Sequence, residues 1–169
     1  MPTFHAIVAM SENRAISYQN KLPWKLPEEY RWLEARTDGG TLIMGRKTRK
    51  ALGKALPHCK KLVVSRSVQE LPNSICYPNL ETLCADLPAD SLAWVFGGES
   101  IYEYFLERCS LIYLSRIKRQ TEGDVFFPKF EHLFELGQII HENPDFRVER
   151  WRRKGTAEPP AEPWPLPEN

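Results

Sequence analysis

The sequence lacks the features of a membrane protein, a disulfide scaffold or a strongly charged binding module. No apolar run approaches the roughly 18 residues a membrane-spanning helix needs. The opening MPTFHAIVAM has no basic stretch leading into a long apolar core, so it does not read as a signal peptide. Cysteines number only four, Cys59, Cys76, Cys84 and Cys109, with no CxxC spacing and no histidine at metal-ligand spacing. They read as reduced thiols of a cytoplasmic protein, and no metal site is expected. An excess of one charge is also missing. Lys and Arg total 23 against 22 for Asp and Glu, a net +1, so neither nucleic acid nor a membrane surface is indicated as partner. No GxSxG, HExxH or GxxxxGKS/T motif occurs, and His5, His58, His132 and His141 are scattered.

What is present is the composition of an ordinary globular domain. The chain has 169 residues, of which 42% are hydrophobic and 27% charged. That length suits one domain, expected over 1–154, and a monomer. Five of the 14 prolines fall after Gly155. Residues 155–169 therefore read as a Pro-rich tail, extended or disordered, though Trp164 offers a means of docking on the body or binding a proline-recognising partner.

Strands alternate with helices along the body. Apolar runs predict strands at Phe4–Met10, Thr41–Met44, Lys61–Ser65, Ile75–Tyr77, Leu92–Phe96 and Leu111–Ile117. Helices are predicted at 26–37, with Pro27 near the start and Gly39-Gly40 after the end, and at Arg46–Leu52, Leu80–Ala85 and 99–109. Ser11–Trp24 reads as a long irregular stretch of the kind that often carries function. Two final strands, Leu133–His141 and Phe146–Lys154, flank the turn 142–145. The result is an α/β three-layer sandwich: a mostly parallel eight-stranded sheet, helices on both faces, and a C-terminal antiparallel hairpin.

Four local features could carry chemistry. Glu29 sits one turn into a helix beside Leu26, Tyr30 and Leu33. A carboxyl there either has a raised pKa and binds a polar heterocycle or simply complements the helix dipole. Gly45-Arg46-Lys47-Thr48 is a glycine turn entering a helix, either an anion site or a solvated basic turn. Ser65-Arg66-Ser67 closes a strand with a hydroxyl–guanidinium–hydroxyl cluster suited to a phosphate monoester. Gly97-Gly98 precedes a helix and either admits a pyrophosphate or makes a packing turn. It is not GxGxxG, and Glu99 beside it is a mild cost to phosphate binding. Two basic clusters at strand ends together suggest a doubly charged phosphate.

In this order the segments 22–33 (LPWKLPEEYRWL), 42–48 (LIMGRKT), 53–57 (GKALP), 62–66 (LVVSR), 95–106 (VFGGESIYEYFL), 112–117 (IYLSRI) and 122–128 (EGDVFFP) resemble the dihydrofolate reductase family. The resemblance implies reduction of 7,8-dihydrofolate with NADPH, hydride going to pterin C6 and a proton to N5. It makes Glu29 the acid that binds the pterin amino and N3 groups. Trp24 would hold a water beside it, Ser115 would link acid and pterin, and Tyr102 would pack near the reacting carbons. Ile7, Val8, Tyr30, Leu33, Leu52, Leu56 and Phe96 would line the substrate pocket. Asn13–Lys21 would be a closing loop carrying Ile16 and Asn20. Ala9, Gly45, Arg46, Lys47, Thr48, Ser65, Arg66 and the run Gly97, Gly98, Glu99, Ser100, Ile101 and Tyr102 would contact NADPH. The Gly97–Gly98 peptide would be cis.

The chain departs from the resemblance at Cys59, where the family has an arginine that pairs with the folate glutamate. A thiol cannot replace that fork. Lys60 is adjacent but on the opposite face of an extended segment, which leaves Arg31, Lys54 and His58 as candidate substitutes. A dihydropterin without a glutamate tail is therefore an alternative substrate, and a non-catalytic NADPH-binding relative a further one. Ser17 also replaces a frequent glycine of the closing loop.

Overall fold

The structure, a computed structural model, describes residues 1–67 and 70–165. Strands β1 (Thr3–Ser11), β3 (Thr41–Gly45), β4 (Lys60–Val64), β5 (Ile75–Tyr77), β6 (Leu92–Gly97), β7 (Cys109–Ile117), β9 (Phe134–Glu142) and β10 (Phe146–Arg153) form one sheet. Their order is β5-β4-β3-β6-β1-β7-β10-β9. Every pair from β5 to β7 is parallel, and β10 runs antiparallel to both β7 and β9. The predicted eight strands and terminal hairpin are present, shifted by a residue or two at their ends.

β1 shows why the sheet is covered on both faces. Phe4, Ala6, Val8 and Met10 enter one buried cluster with Leu83 of α3 (Leu80–Ala85) and Ile101, Tyr102 and Phe105 of α4 (Glu99–Phe105). Ile7 and Ala9, on the alternate positions, join a second cluster with Trp32 of α1 (Pro27–Thr37) and Leu52 of α2 (Arg46–Leu52). A strand buried on both faces has no polar side to alternate with, which is why FHAIVAM reads as a continuous apolar run.

Three expectations change. Helix α4 ends at Phe105 rather than Cys109, because Cys109 already pairs with Phe4 in the sheet. The stretch after β1 is not wholly irregular: β2 (Ala15–Ser17) pairs antiparallel with β8 (Val125–Phe126), a partner more than a hundred residues away. Gly155 onward is extended without regular structure through Pro165, yet it lies against the body, with Trp164 stacked on His141 at 4.0 Å between centroids. No helix among the described residues is long and apolar enough to cross a membrane.

Candidate active site

A cleft of about 1260 Å³ opens where the carboxyl ends of β3, β4 and β6 meet the second half of β1. This is where ligands gather in open α/β sheets. Its volume exceeds the roughly 300–1,000 Å³ of a pocket for one small molecule, so two ligands fit side by side.

One end is apolar and holds a single acid. Glu29 projects from the first turn of α1 and is only 4% exposed. Burial raises its carboxyl pKa from 4.5 to about 7, against a smaller opposing pull from the Ser115 hydroxyl. Oε1 of Glu29, the Trp24 indole N–H and the Ser115 hydroxyl are all buried without a hydrogen-bond partner among the described residues. The unbonded oxygen of the acid and these two further unbonded groups call for a polar ligand or water to complete the bonding. Ile7, Val8, Tyr30, Leu33, Leu52 and Phe96 line the cleft around it.

The other end is cationic. Arg46, Lys47 and Thr48 line it from the start of α2, and Ser65, Arg66 and Ser67 from the end of β4. The Arg46 guanidinium donates to Ser67 Oγ at 3.5 Å, and Ser65 Oγ donates to the Ser67 carbonyl at 2.9 Å. Lys47 and Arg66 are exposed and carry no ion pair among the described residues. Between the ends run Gly97 and Gly98, joined by a cis peptide. Gly97 has φ +109°, and a Cβ there would fall 2.9 Å from the Tyr102 ring. That ring is fixed: its hydroxyl donates to the Ile7 carbonyl at 2.8 Å, and burial raises its pKa far above the ordinary phenol value. Tyr102 is thus a wall, not a proton donor at neutral pH.

The cleft also takes Ala9, Ile16, Asn20, Gly45, Glu99, Ser100 and Ile101 among its walls. Trp24 and Ser115 do not line it; both are buried, and the Ser115 hydroxyl lies close enough to Glu29 to lower its pKa. Leu56 is also absent from the lining and is buried in the core cluster against which Leu33 and Leu52 pack. None of the candidate substitutes for an arginine at position 59, Arg31, Lys54 and His58, lines the cleft. His58 instead pairs with Asp38 at 3.2 Å. The Cys59 thiol is buried and donates to the Thr37 carbonyl at 3.1 Å. Residues not anticipated from the sequence include Lys50, Pro78, Asn79 and Glu81. Asn79 follows the carboxyl end of β5, so the strand-end rule applied to that short strand would have found it.

A dihydrofolate reductase family model matches residues 3–148. The chain is 32% identical to a dihydrofolate reductase of Haemophilus influenzae over 127 residues, 75% of this chain and 79% of the relative. It is 34% identical to a type 3 dihydrofolate reductase of Salmonella typhimurium over 142 residues, 82% and 88% of the two chains. The fold superposes on a dihydrofolate reductase from Enterococcus faecalis, solved with NADP(H), at a TM-score of 0.82 and 23% identity over 90% of this chain and 96% of that one. On that match across nearly its whole length, and with its one buried acid at the apolar end of the cleft, the chain belongs to the dihydrofolate reductase family.

Proposed function

We propose that this protein reduces 7,8-dihydrofolate to 5,6,7,8-tetrahydrofolate with NADPH. The observation that carries the reading is Glu29: one carboxyl, buried, with an orphaned oxygen, at the apolar end of a cleft whose far end is cationic. A 2-aminopterin offers two N–H groups to such a carboxyl, and its flat ring suits the walls of Ile7, Leu33 and Phe96.

The residues present fit the cofactor. Lys47 and Arg66, with the hydroxyls of Thr48 and Ser65, supply charge and donors for phosphate groups. When bound, NADPH supplies the hydride for pterin C6. The chain's part is to orient the pterin through Glu29 and to keep water out with Ile16 and Asn20 from the β2 segment. Burial raises the Glu29 pKa to about 7, Glu29 favours protonation at N5, and the proton arrives there through a water that Trp24 would hold.

A second reading is favoured by one observation: the Cys59 thiol is turned to the Thr37 carbonyl, and the cations proposed to stand in for an arginine lie outside the cleft. On that reading the substrate is a dihydropterin without a glutamate tail. Loss of NADPH absorbance on mixing with dihydrofolate or with a tail-less dihydropterin separates the two. Saturation by micromolar dihydrofolate, with a clear advantage over the tail-less pterin, supports the first. Equal or better use of the tail-less pterin supports the second, and oxidation with neither overturns both.

A further inference from the structure

Residues 156–165 form no strand or helix and are not among the cleft's lining, yet they are tied down at three points. The first is Arg150 of β10, whose side chain is 2% exposed. It donates to Glu158 Oε1 at 2.7 Å, to Glu162 Oε2 at 2.9 Å and to the carbonyls of Pro159 and Pro160. Glu158 also pairs with Arg152 at 2.7 Å and lies over Gly137 of β9, where a Cβ would fall 1.9 Å from Oε2. The second is Glu162. Its backbone N–H and carbonyl are bracketed by the Gln138 side-chain amide at 2.9 Å each, and its carboxylate pairs with Arg36 at 2.7 Å. The third is Trp164. It stacks on His141 with the planes 8° apart and faces Trp32 at 6.3 Å.

Two of these points grip the helix that carries the acid. Glu29, Trp32 and Arg36 stand at i, i+3 and i+7 of α1 and so form one stripe along it. Trp164 meets the second member of that stripe and Glu162 the third. Arg36 is wedged further by its bond to the Tyr113 hydroxyl at 2.8 Å and its stacking over Trp94 at 4.9 Å. The start of α1 is held less firmly: its N-cap, Leu26, makes no side-chain capping bond. There Glu28 meets His141 at 3.7 Å and Asn143 at 3.4 Å, and His141 is the ring on which Trp164 rests. Prolines at 159, 160, 163 and 165 lower the entropy lost when such a segment docks.

We propose that residues 156–165 form a strap that fixes α1 on the sheet and thereby sets the position of Glu29, with Trp164 and Glu162 as positioning residues for the reduction. This rests on the reductase reading above.

Full-length variants test it. Trp164→Ala and Glu162→Gln are expected to raise the KM for dihydrofolate about tenfold, the scale of a small misplacement of a binding group. The Kd for NADPH should stay within about twofold, because the strap touches nothing at the cationic end. Trp164→Phe keeps a ring on His141 and should restore most of the KM. Glu158→Gln, on the same strap but out of reach of α1, should lower Tm without moving KM. Hydrogen exchange gives a readout independent of turnover: amides 30–37 of α1 should exchange faster in Trp164→Ala, and those of α2 should not. A KM for Trp164→Ala equal to that of Glu158→Gln, or unchanged α1 exchange, overturns the strap. If the parent protein reduces no dihydropterin, the functional reading falls while α1 exchange still decides the strap.

Discussion

The two ends of the cleft use charge in opposite ways. At the apolar end a single carboxyl is buried, partly unbonded, and holds its proton up to about pH 7. At the cationic end Lys47 and Arg66 are exposed and hydrated. Desolvation makes Glu29 chemically distinctive, because the cost of its charge must be met by a ligand. The exposed cations instead work by number and placement, and salt weakens them. One end is built to change a protonation state, the other to hold a charge that never changes.

The strongest way to break this contrast is Glu29→Gln. It is expected to lower turnover about 10²- to 10⁴-fold while leaving NADPH affinity unchanged. Turnover of the parent should fall as pH rises through about 7, where the Glu29 proton is lost. Near-normal turnover of the variant, or a flat profile from pH 6 to 9, would remove Glu29 from the mechanism.

The next effect concerns stability. The Glu29 pKa is about 7 folded against 4.5 unfolded, so between those values the folded state binds more protons. Stability from this group is therefore present below about 4.5 and lost as pH rises toward 7, by about 3 kcal/mol in all. Glu29→Gln cannot ionise and should be the more stable protein at pH 8. Urea unfolding at both ends of that range reads the difference, and identical pH slopes for parent and variant would show that burial does not hold the proton.

At the cationic end the effects are smaller. Arg66→Ala removes charge-assisted bonds and should weaken NADPH about tenfold or somewhat more, with NADH little changed. Equal losses for the two cofactors in a fluorescence titration would place Arg66 away from the additional phosphate. Smaller still, raising salt should weaken NADPH severalfold and leave the Glu29 midpoint nearly where it was. A midpoint that moves with salt as much as the NADPH affinity does would erase the distinction between the ends.

Much of this was legible in local pattern. Period-two and continuous apolar runs placed the sheet strands, and Pro27 and the Gly39-Gly40 pair bounded α1. The two basic clusters stand at strand ends, as their neighbours in sequence imply, and both line the cleft. Leu56 lies outside the cleft lining, since an apolar residue beside a pocket and one beneath it look alike in sequence. β2 was missed because a three-residue strand has no periodicity of its own and is defined by its pairing with β8. The tail was read as extended or disordered because its prolines are local, whereas Arg150, Gln138 and His141 that hold it lie in other strands.

By itself, then, the sequence determined the order of the eight main-sheet strands and the four helices, the family, and the charge character of each end of the cleft. Each of these depends on residues close together in the chain: a repeat, a turn, a cluster. Tertiary structure alone decided that Glu29 keeps a proton, that the Cys59 thiol is spent on Thr37, and that Trp164 comes to rest against the helix of the acid. Those outcomes depend on which distant groups exclude water or supply a partner, and no local pattern records that.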